Sequence, residues 1–319
     1  MSSQKLLVVF GATGVQGGSV IKAILSDPKA SNEFKLRAIT RDPSKPKAKA
    51  LEEKGVECVT GDVNDKESLR KALAGAYAVY AVTDYWAKMD KEEETQQGKN
   101  IADVAKEVRV QHMVYSSLFN VTKFTNGKIT GVHHFDSKAL VEEYIRSIGI
   151  PATFFMPAMY MSSLADMIKP NPQSEQHEYV WMTPAAPNSK FALLDTVDDA
   201  GKFVKGILLN REKSLGKQVY AAGGYWTPEQ VMKEFTEVKP NAGKGAHYAQ
   251  LPEETFKGFL AMSGMPEPVQ NDFCEMLVYF DKYGYYGGAP LEESQKYASE
   301  PLTTWKEYIA KAPHFKDIN

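Results

Sequence analysis

Apolar runs of strand length alternate with helically spaced apolar stripes through the first 150 residues. The first run, Leu6-Leu7-Val8-Val9-Phe10, breaks at glycines spaced Gly11-x-x-Gly14-x-x-Gly17. Val20, Ile21, Ile24 and Leu25 then fall on one stripe of a helix. Further strands are expected at 34–40, 56–60, 76–82, 110–116 and 152–156. Helical patterns fill the gaps: a short charged stretch at 44–54, then 66–73, 92–108 with Ile101, Val104, Ala105 and Val108 inward, and 132–148. Strand and helix in regular turn predict an α/β fold, a doubly wound parallel sheet with helices on both faces.

The alternation stops at Pro157. A Pro-, Asn- and Gln-rich stretch at 169–176 reads as an exposed loop. Short strands are expected at 179–183, 190–194 and 218–222, and helices at 197–209, 252–263, 267–282 and 305–310. Thr227-Pro228-Glu229 opens another helix, with Thr as cap and Pro at the first position. The expected organisation is therefore a nucleotide-binding domain at 1–156, rejoined by about 190–225. A smaller mixed α+β C-terminal domain, facing substrate or partner, would comprise 157–189 and 226–319. Met156, Met159, Tyr160, Met161, Met167, Trp181 and Met182 fall close together, as core or as a plastic apolar pocket wall.

Composition narrows the function classes. The 319 residues are 43% hydrophobic and 24% charged, with a net charge of −2. No apolar run reaches membrane-spanning length, so no membrane association is expected. Direct nucleic-acid binding needs clustered Lys and Arg, and no long basic block occurs. Cys58 and Cys274 are the two cysteines, too few for a disulfide framework. With no recognisable signal peptide ahead of the first strand, the expected location is cytoplasmic, and nuclear as well. His133, His134 and Asp136 lack further ligands at metal-binding spacing, so no metal site is expected.

Strand, glycine turn and helix in that order suit a dinucleotide. Gly11 permits the tight turn, Gly14 lets backbone approach a pyrophosphate, and Gly17 lets the helix pack on the strand. The helix N-terminus then offers free N–H groups and the positive dipole end to phosphate. The second strand ends Thr40-Arg41-Asp42-Pro43. Arg41, helped by Lys45, suits a 2′-phosphate and therefore NADP(H). Asp42 is the rival, a ribose acceptor that would favour NAD(H), and is taken as a turn residue. Asp62 and Val63, ending the third strand, line an adenine, or Asp62 caps the next helix. The fourth strand ends Val82-Thr83-Asp84, which borders the cofactor in a doubly wound sheet.

The fifth strand ends in Ser116, and the helix beyond carries His134 and Lys138 on one face. Short-chain dehydrogenases place a Ser and a Tyr-x-x-x-Lys here, where Lys holds the nicotinamide ribose and Tyr passes a proton. His134 stands at the Tyr position. An imidazole beside Lys138 is biased towards neutral and gives up a proton weakly. The candidate catalytic residues are thus Lys138, His134 and Ser116.

At these residues the sequence resembles the NmrA-like family of atypical short-chain dehydrogenase relatives. The marks are Gly11-Ala12-Thr13-Gly14-x-Gln16-Gly17-Gly18, Thr40-Arg41-x-Pro43, Gly61-Asp62, Val82-Thr83-x-Tyr85-Trp86, Tyr115-Ser116, His134-Phe135-Asp136-x-Lys138 and Gly149-Ile150-Pro151. The resemblance implies a Rossmann domain binding NADP(H). It places Gly11, Thr13, Gly14, Gln16 and Gly17 at the pyrophosphate, Arg41 and Lys45 at the 2′-phosphate, and Asp62 and Val63 at the adenine. Thr83 and Lys138 fall near the nicotinamide ribose. Family members include dinucleotide-binding regulators that act through a protein partner as redox sensors, and reductases. The leading expectation is such a sensor, because the Tyr is lost. The rival is an NAD(P)H-dependent oxidoreductase of a quinone, enone or other small apolar carbonyl substrate.

Overall fold

The computed structural model describes residues 4–171 and 178–318. Its strands are β1 Lys5–Val9, β2 Phe34–Thr40, β3 Glu57–Thr60, β4 Ala78–Ala81, β5 His112–Ser116, β6 Ala152–Pro157, β7 Met159–Tyr160, β8 Ile168–Pro170, β9 Tyr179–Thr183, β10 Phe191–Leu194, β11 Gln218–Ala221, β12 Gly224–Trp226 and β13 His247–Gln250. The helices that connect the first six strands are α1 Val15–Ser26, α2 Pro28–Glu33, α3 Pro46–Glu52, α4 Lys66–Leu73, α5 Lys91–Glu107, α6 Val121–Phe124 and α7 His133–Ile148. Beyond them come α8 Met161–Met167, α9 Thr196–Leu209, α10 Arg211–Ser214, α11 Pro228–Val238, α12 Glu253–Met262, α13 Glu267–Tyr283, α14 Glu292–Gln295 and α15 Trp305–Lys311.

Seven strands form one parallel sheet in the order β11-β6-β5-β4-β1-β2-β3. The chain winds outward from β1 to β3, then returns to β4 on the other side of β1. That reversal opens the crevice in which ligands of doubly wound sheets lie, above the carboxyl ends of β1 and β4. The parallel strands read as continuous apolar runs because both faces are covered. Val9, Val20, Ile24 and Phe155 belong to the core on one face, and Val8, Ile101, Val104 and Tyr115 to that on the other.

The remaining sheets are small. β10 pairs with β7 and β12, and β9 with β8 and β13, so 191–194 lies outside the large sheet while 218–221 completes it. The loop expected at 169–176 begins inside β8, and most of it lies outside the described residues. Met156, Met161 and Trp181 have no exposed surface, so the cluster around Pro157 is chiefly core. The helix α2, not anticipated, starts because Asp27 accepts from the N–H groups of Lys29 and Ala30 and Pro28 opens the first turn. Among the described residues, no helix is long and apolar enough to cross a membrane.

Candidate functional site

The glycine turn sits at the reversal point. Gly11 has a φ of +62° and packs against the end of β4, where a Cβ would lie 2.8 Å from Val82 Cγ1. A Cβ on Gly17 would meet the Gly11 carbonyl oxygen at 2.4 Å, so α1 lies directly on the turn. Gly14 is the N-cap of α1, and it brings no side chain to the first N–H groups; the first turn holds no acidic residue. This bare, positive helix end fits a pyrophosphate, and Gly11, Thr13, Gly14 and Gly17 surround it.

Gln16 was expected beside the pyrophosphate, and the structure turns its side chain the other way. Its Oε1 accepts from the hydroxyls of Tyr80 and, at 2.9 Å, Ser116, and its amide donates to Tyr160. The same bond places Ser116, which has no exposed surface and spends its hydroxyl proton on Gln16. The physical reason is local: a polar side chain buried at the helix–sheet seam must find partners, and the ends of β4 and β5 supply them. Ser116 is thereby sealed under α1, with its hydroxyl proton committed to Gln16.

At the end of β2, Arg41 is exposed and makes no hydrogen bond or ion pair among the described residues. Lys45 is also exposed, with Nζ 3.8 Å from Asp42 Oδ2. Asp42 is a turn residue, as expected: its Oδ1 accepts from Ser44 N–H at 2.9 Å and Ser44 Oγ at 2.6 Å. Asp62 Oδ1 takes the N–H of Asn64 at 2.9 Å, while Asp65, and not Asp62, caps α4. Val63 is half-buried, its carbonyl accepting from Asn100 at 3.0 Å.

Lys138 reaches back from α7 to the end of β4. Its Nζ donates to the Thr83 carbonyl at 3.2 Å and forms an ion pair with Glu94 of α5, whose other oxygen accepts from Ser137. Glu94 is 2% exposed. His134, one turn earlier, is held by α13: Asp272 accepts from its Nδ1 and, at 3.2 Å, from its backbone N–H. Asp272 has no exposed surface. Its carboxylate only accepts, so Nδ1 carries a proton, and Nε2 makes no hydrogen bond among the described residues. Trp86 stacks on Phe273 with centroids 5.2 Å apart and stands 4.9 Å from the His134 ring. Burial, and then the charge of Asp272, push the Tyr85 phenol up to about 12, so it stays protonated at neutral pH.

These contacts change the electrostatics anticipated for the pair. Glu94 offsets the Lys138 charge and Asp272 faces His134, so the imidazole has its own counter-charge. Neither acid had a sequence signal. Glu94 ends an acidic run, Glu92-Glu93-Glu94, that reads as a solvated first turn, and Asp272 lies 138 positions from His134. Two clefts lie elsewhere: about 510 Å³ between α1, α9 and residues 300–307, and about 210 Å³ beside α7 near Phe119. Neither is lined by the glycine turn, His134 or Lys138. Among the described residues no group of three His, Cys, Asp or Glu is placed to hold a metal ion.

Strand order, glycine turn and the lysine at the end of β4 define an NAD(P)-binding Rossmann fold. The chain belongs to the NmrA-like family, which it matches over residues 3–309. The NmrA-like family domain-containing oxidoreductase malD of Malbranchea aurantiaca is 30% identical over 264 residues, covering 78% of this chain and 76% of its own. The negative transcriptional regulator NmrA in complex with NADP has the same fold, with a TM-score of 0.78 at 20% identity, over 98% of this chain and 96% of the other. The Citrobacter sp. triphenylmethane reductase complexed with NADP(H) aligns at a TM-score of 0.76 and 25% identity, over 96% of this chain and 99% of the other.

Proposed function

We propose that this chain is an NADP(H)-binding oxidoreductase that reduces a small, flat apolar acceptor such as a quinone, an enone or another conjugated carbonyl. The observation that carries the reading is the His134–Asp272 pair one helical turn from Lys138. The oxidoreductase names of malD and the Citrobacter reductase support it.

NADPH, when bound, supplies a hydride. Its pyrophosphate would rest on the bare end of α1, its 2′-phosphate on Arg41 and Lys45, its adenine between Asp62 and Val63, and its second ribose on Thr83 and Lys138. Asp272 fixes the His134 ring through Nδ1. As a proton donor the ring would pass a proton from Nε2 to the acceptor oxygen, and water would restore it. Lys138, held by Thr83 and Glu94, orients the ribose and adds a positive field. Trp86 and Phe273 provide an apolar wall for a flat acceptor.

Purified protein offered NADPH and a panel of quinones, enones and aldehydes tests this. Turnover of the best substrate should fall about 10²–10⁴-fold in His134→Ala, the usual cost of a lost general acid. Asp272→Asn should lower kcat while leaving NADPH affinity near wild type. A protein that binds NADPH but oxidises it with no member of the panel is instead the second reading, a dinucleotide-responsive regulator acting through a protein partner. The sealed Ser116 hydroxyl is the observation that favours that reading.

A further inference from the structure

The end of β2 carries two side chains with opposite preferences. A carboxylate there accepts from the ribose hydroxyls of NAD(H) and repels a 2′-phosphate, whereas a guanidinium grips the phosphate. Arg41 and Asp42 are adjacent, so the sequence contains both answers. In the structure they are not equally available. Ser44 holds one oxygen of the Asp42 carboxylate, Oδ1, through Oγ at 2.6 Å and backbone N–H at 2.9 Å, which fixes the orientation of the group, and Oδ2 lies 3.8 Å from Lys45 Nζ. The backbone of Asp42 is pinned as well, its N–H donating to Thr40 Oγ1 at 3.3 Å, and Pro43 fixes the next φ. Arg41 has no partner among the described residues. Ser44's hydroxyl, followed by its N–H, holds the Asp42 carboxyl below the ordinary carboxylate range.

We propose that Ser44 sets the nucleotide preference of this protein: by holding Asp42 Oδ1 within the turn it keeps the carboxylate from reorienting onto a ribose, leaves Arg41 as the free charge at the 2′ position and so selects NADP(H) over NAD(H). The inference rests on the dinucleotide reading given under Proposed function. Ser44 itself touches no nucleotide in this account; it acts through Asp42 and is a positioning residue. Its hydroxyl is the part a substitution can remove, since the N–H remains in any non-proline variant.

Calorimetric titration with NADPH and NADH separates the possibilities. Wild type should prefer NADPH. Ser44→Ala should narrow the NADPH-to-NADH ratio about tenfold, the weight of one hydrogen bond to a charged group, chiefly by tightening NADH. Ser44→Thr keeps the hydroxyl and should keep the wild-type ratio. In the double variant Ser44→Ala with Asp42→Ala the gain for NADH should vanish, because it needs the carboxylate. An unchanged ratio in Ser44→Ala, or a fall in both affinities together, overturns the role of Ser44 while leaving the dinucleotide reading intact. A wild-type chain that binds neither nucleotide overturns both.

Discussion

A Cβ on Gly17 would stand 2.4 Å from the Gly11 carbonyl oxygen and 2.6 Å from that of Phe10, both rigid backbone. Gly17→Ala should therefore lift α1 from the sheet, costing about 1–3 kcal/mol of stability in a denaturant titration. Gly14 differs in degree: its Cβ would meet Gly11 O at 3.2 Å, so the turn must give by only a few tenths of an ångström. Gly14→Val should cost less stability than Gly17→Ala and abolish NADPH binding, since the side chain would fill the pyrophosphate position. A second residue-scale effect concerns pH. His112 is buried in β5, and burial followed by the charge of Arg211 lowers it to about 4. Thr153 donates to Ser214 and Ser214 to the carbonyls of Ile207 and Arg211, so His112 Nε2 donates to Thr153 and Nδ1 has no acceptor for an added proton. The unfolded chain takes up that proton near pH 6.5 and the folded chain refuses it until about 4. Stability is thus full above pH 6.5 and lost as pH falls through that window, by about 2 kcal/mol at pH 5. His112→Gln should flatten this loss in unfolding measured at pH 7.5 and 5. Spacing made the glycines legible in the sequence, and an isolated buried histidine is not, because nothing in Val110-Gln111-His112-Met113 says which side is dry.

At the scale of elements, α7 begins without a side-chain cap of its own, its N-cap being Val132. The missing acceptors come from α13. Asp272 takes the His134 N–H, and one turn on Glu275 takes those of Thr130 and Gly131 at 3.1 and 2.7 Å. Glu275→Ala should free the two N–H groups ahead of the helix, seen as faster amide exchange at residues 130–134 with the large sheet unaffected. Helix starts with local signals were legible. Thr227 forms a capping box, although its reciprocal partner is Gln230 where Glu229 had been the acid noted. The six N-terminal strands and α1, α4, α5 and α7 followed from apolar spacing, whereas the short helices α2 and α6 did not. The capping of α7 from α13 was not legible, since a cap supplied from another part of the chain leaves no mark near the helix it serves. Nor was the position of β10 in a small sheet, because a run of four apolar residues fits any buried strand equally well.

Across the whole molecule, the two halves of the candidate site have different origins. The glycine turn, Arg41, Asp62, Thr83 and Lys138 come from the regular β-α alternation, so their convergence follows from the winding of the sheet. Asp272, Glu275 and Phe273 come from the last fifth of the chain, and no periodicity relates them to α7. This division explains why the glycine turn was legible from spacing while Asp272 and Glu94 were not: the groups that face His134 and Lys138 are not their neighbours in sequence. It also sets an order in time. His134 precedes Asp272 by 138 positions, and ribosomes add about 5–20 residues per second. For roughly 7–28 s of every synthesis, a chain has emerged with its nucleotide loop, its lysine and its histidine, but without the aspartate that holds the ring. In that interval the His134 ring lacks the acceptor that holds its Nδ1, so the His134–Asp272 pair is completed only when most of the chain has been made.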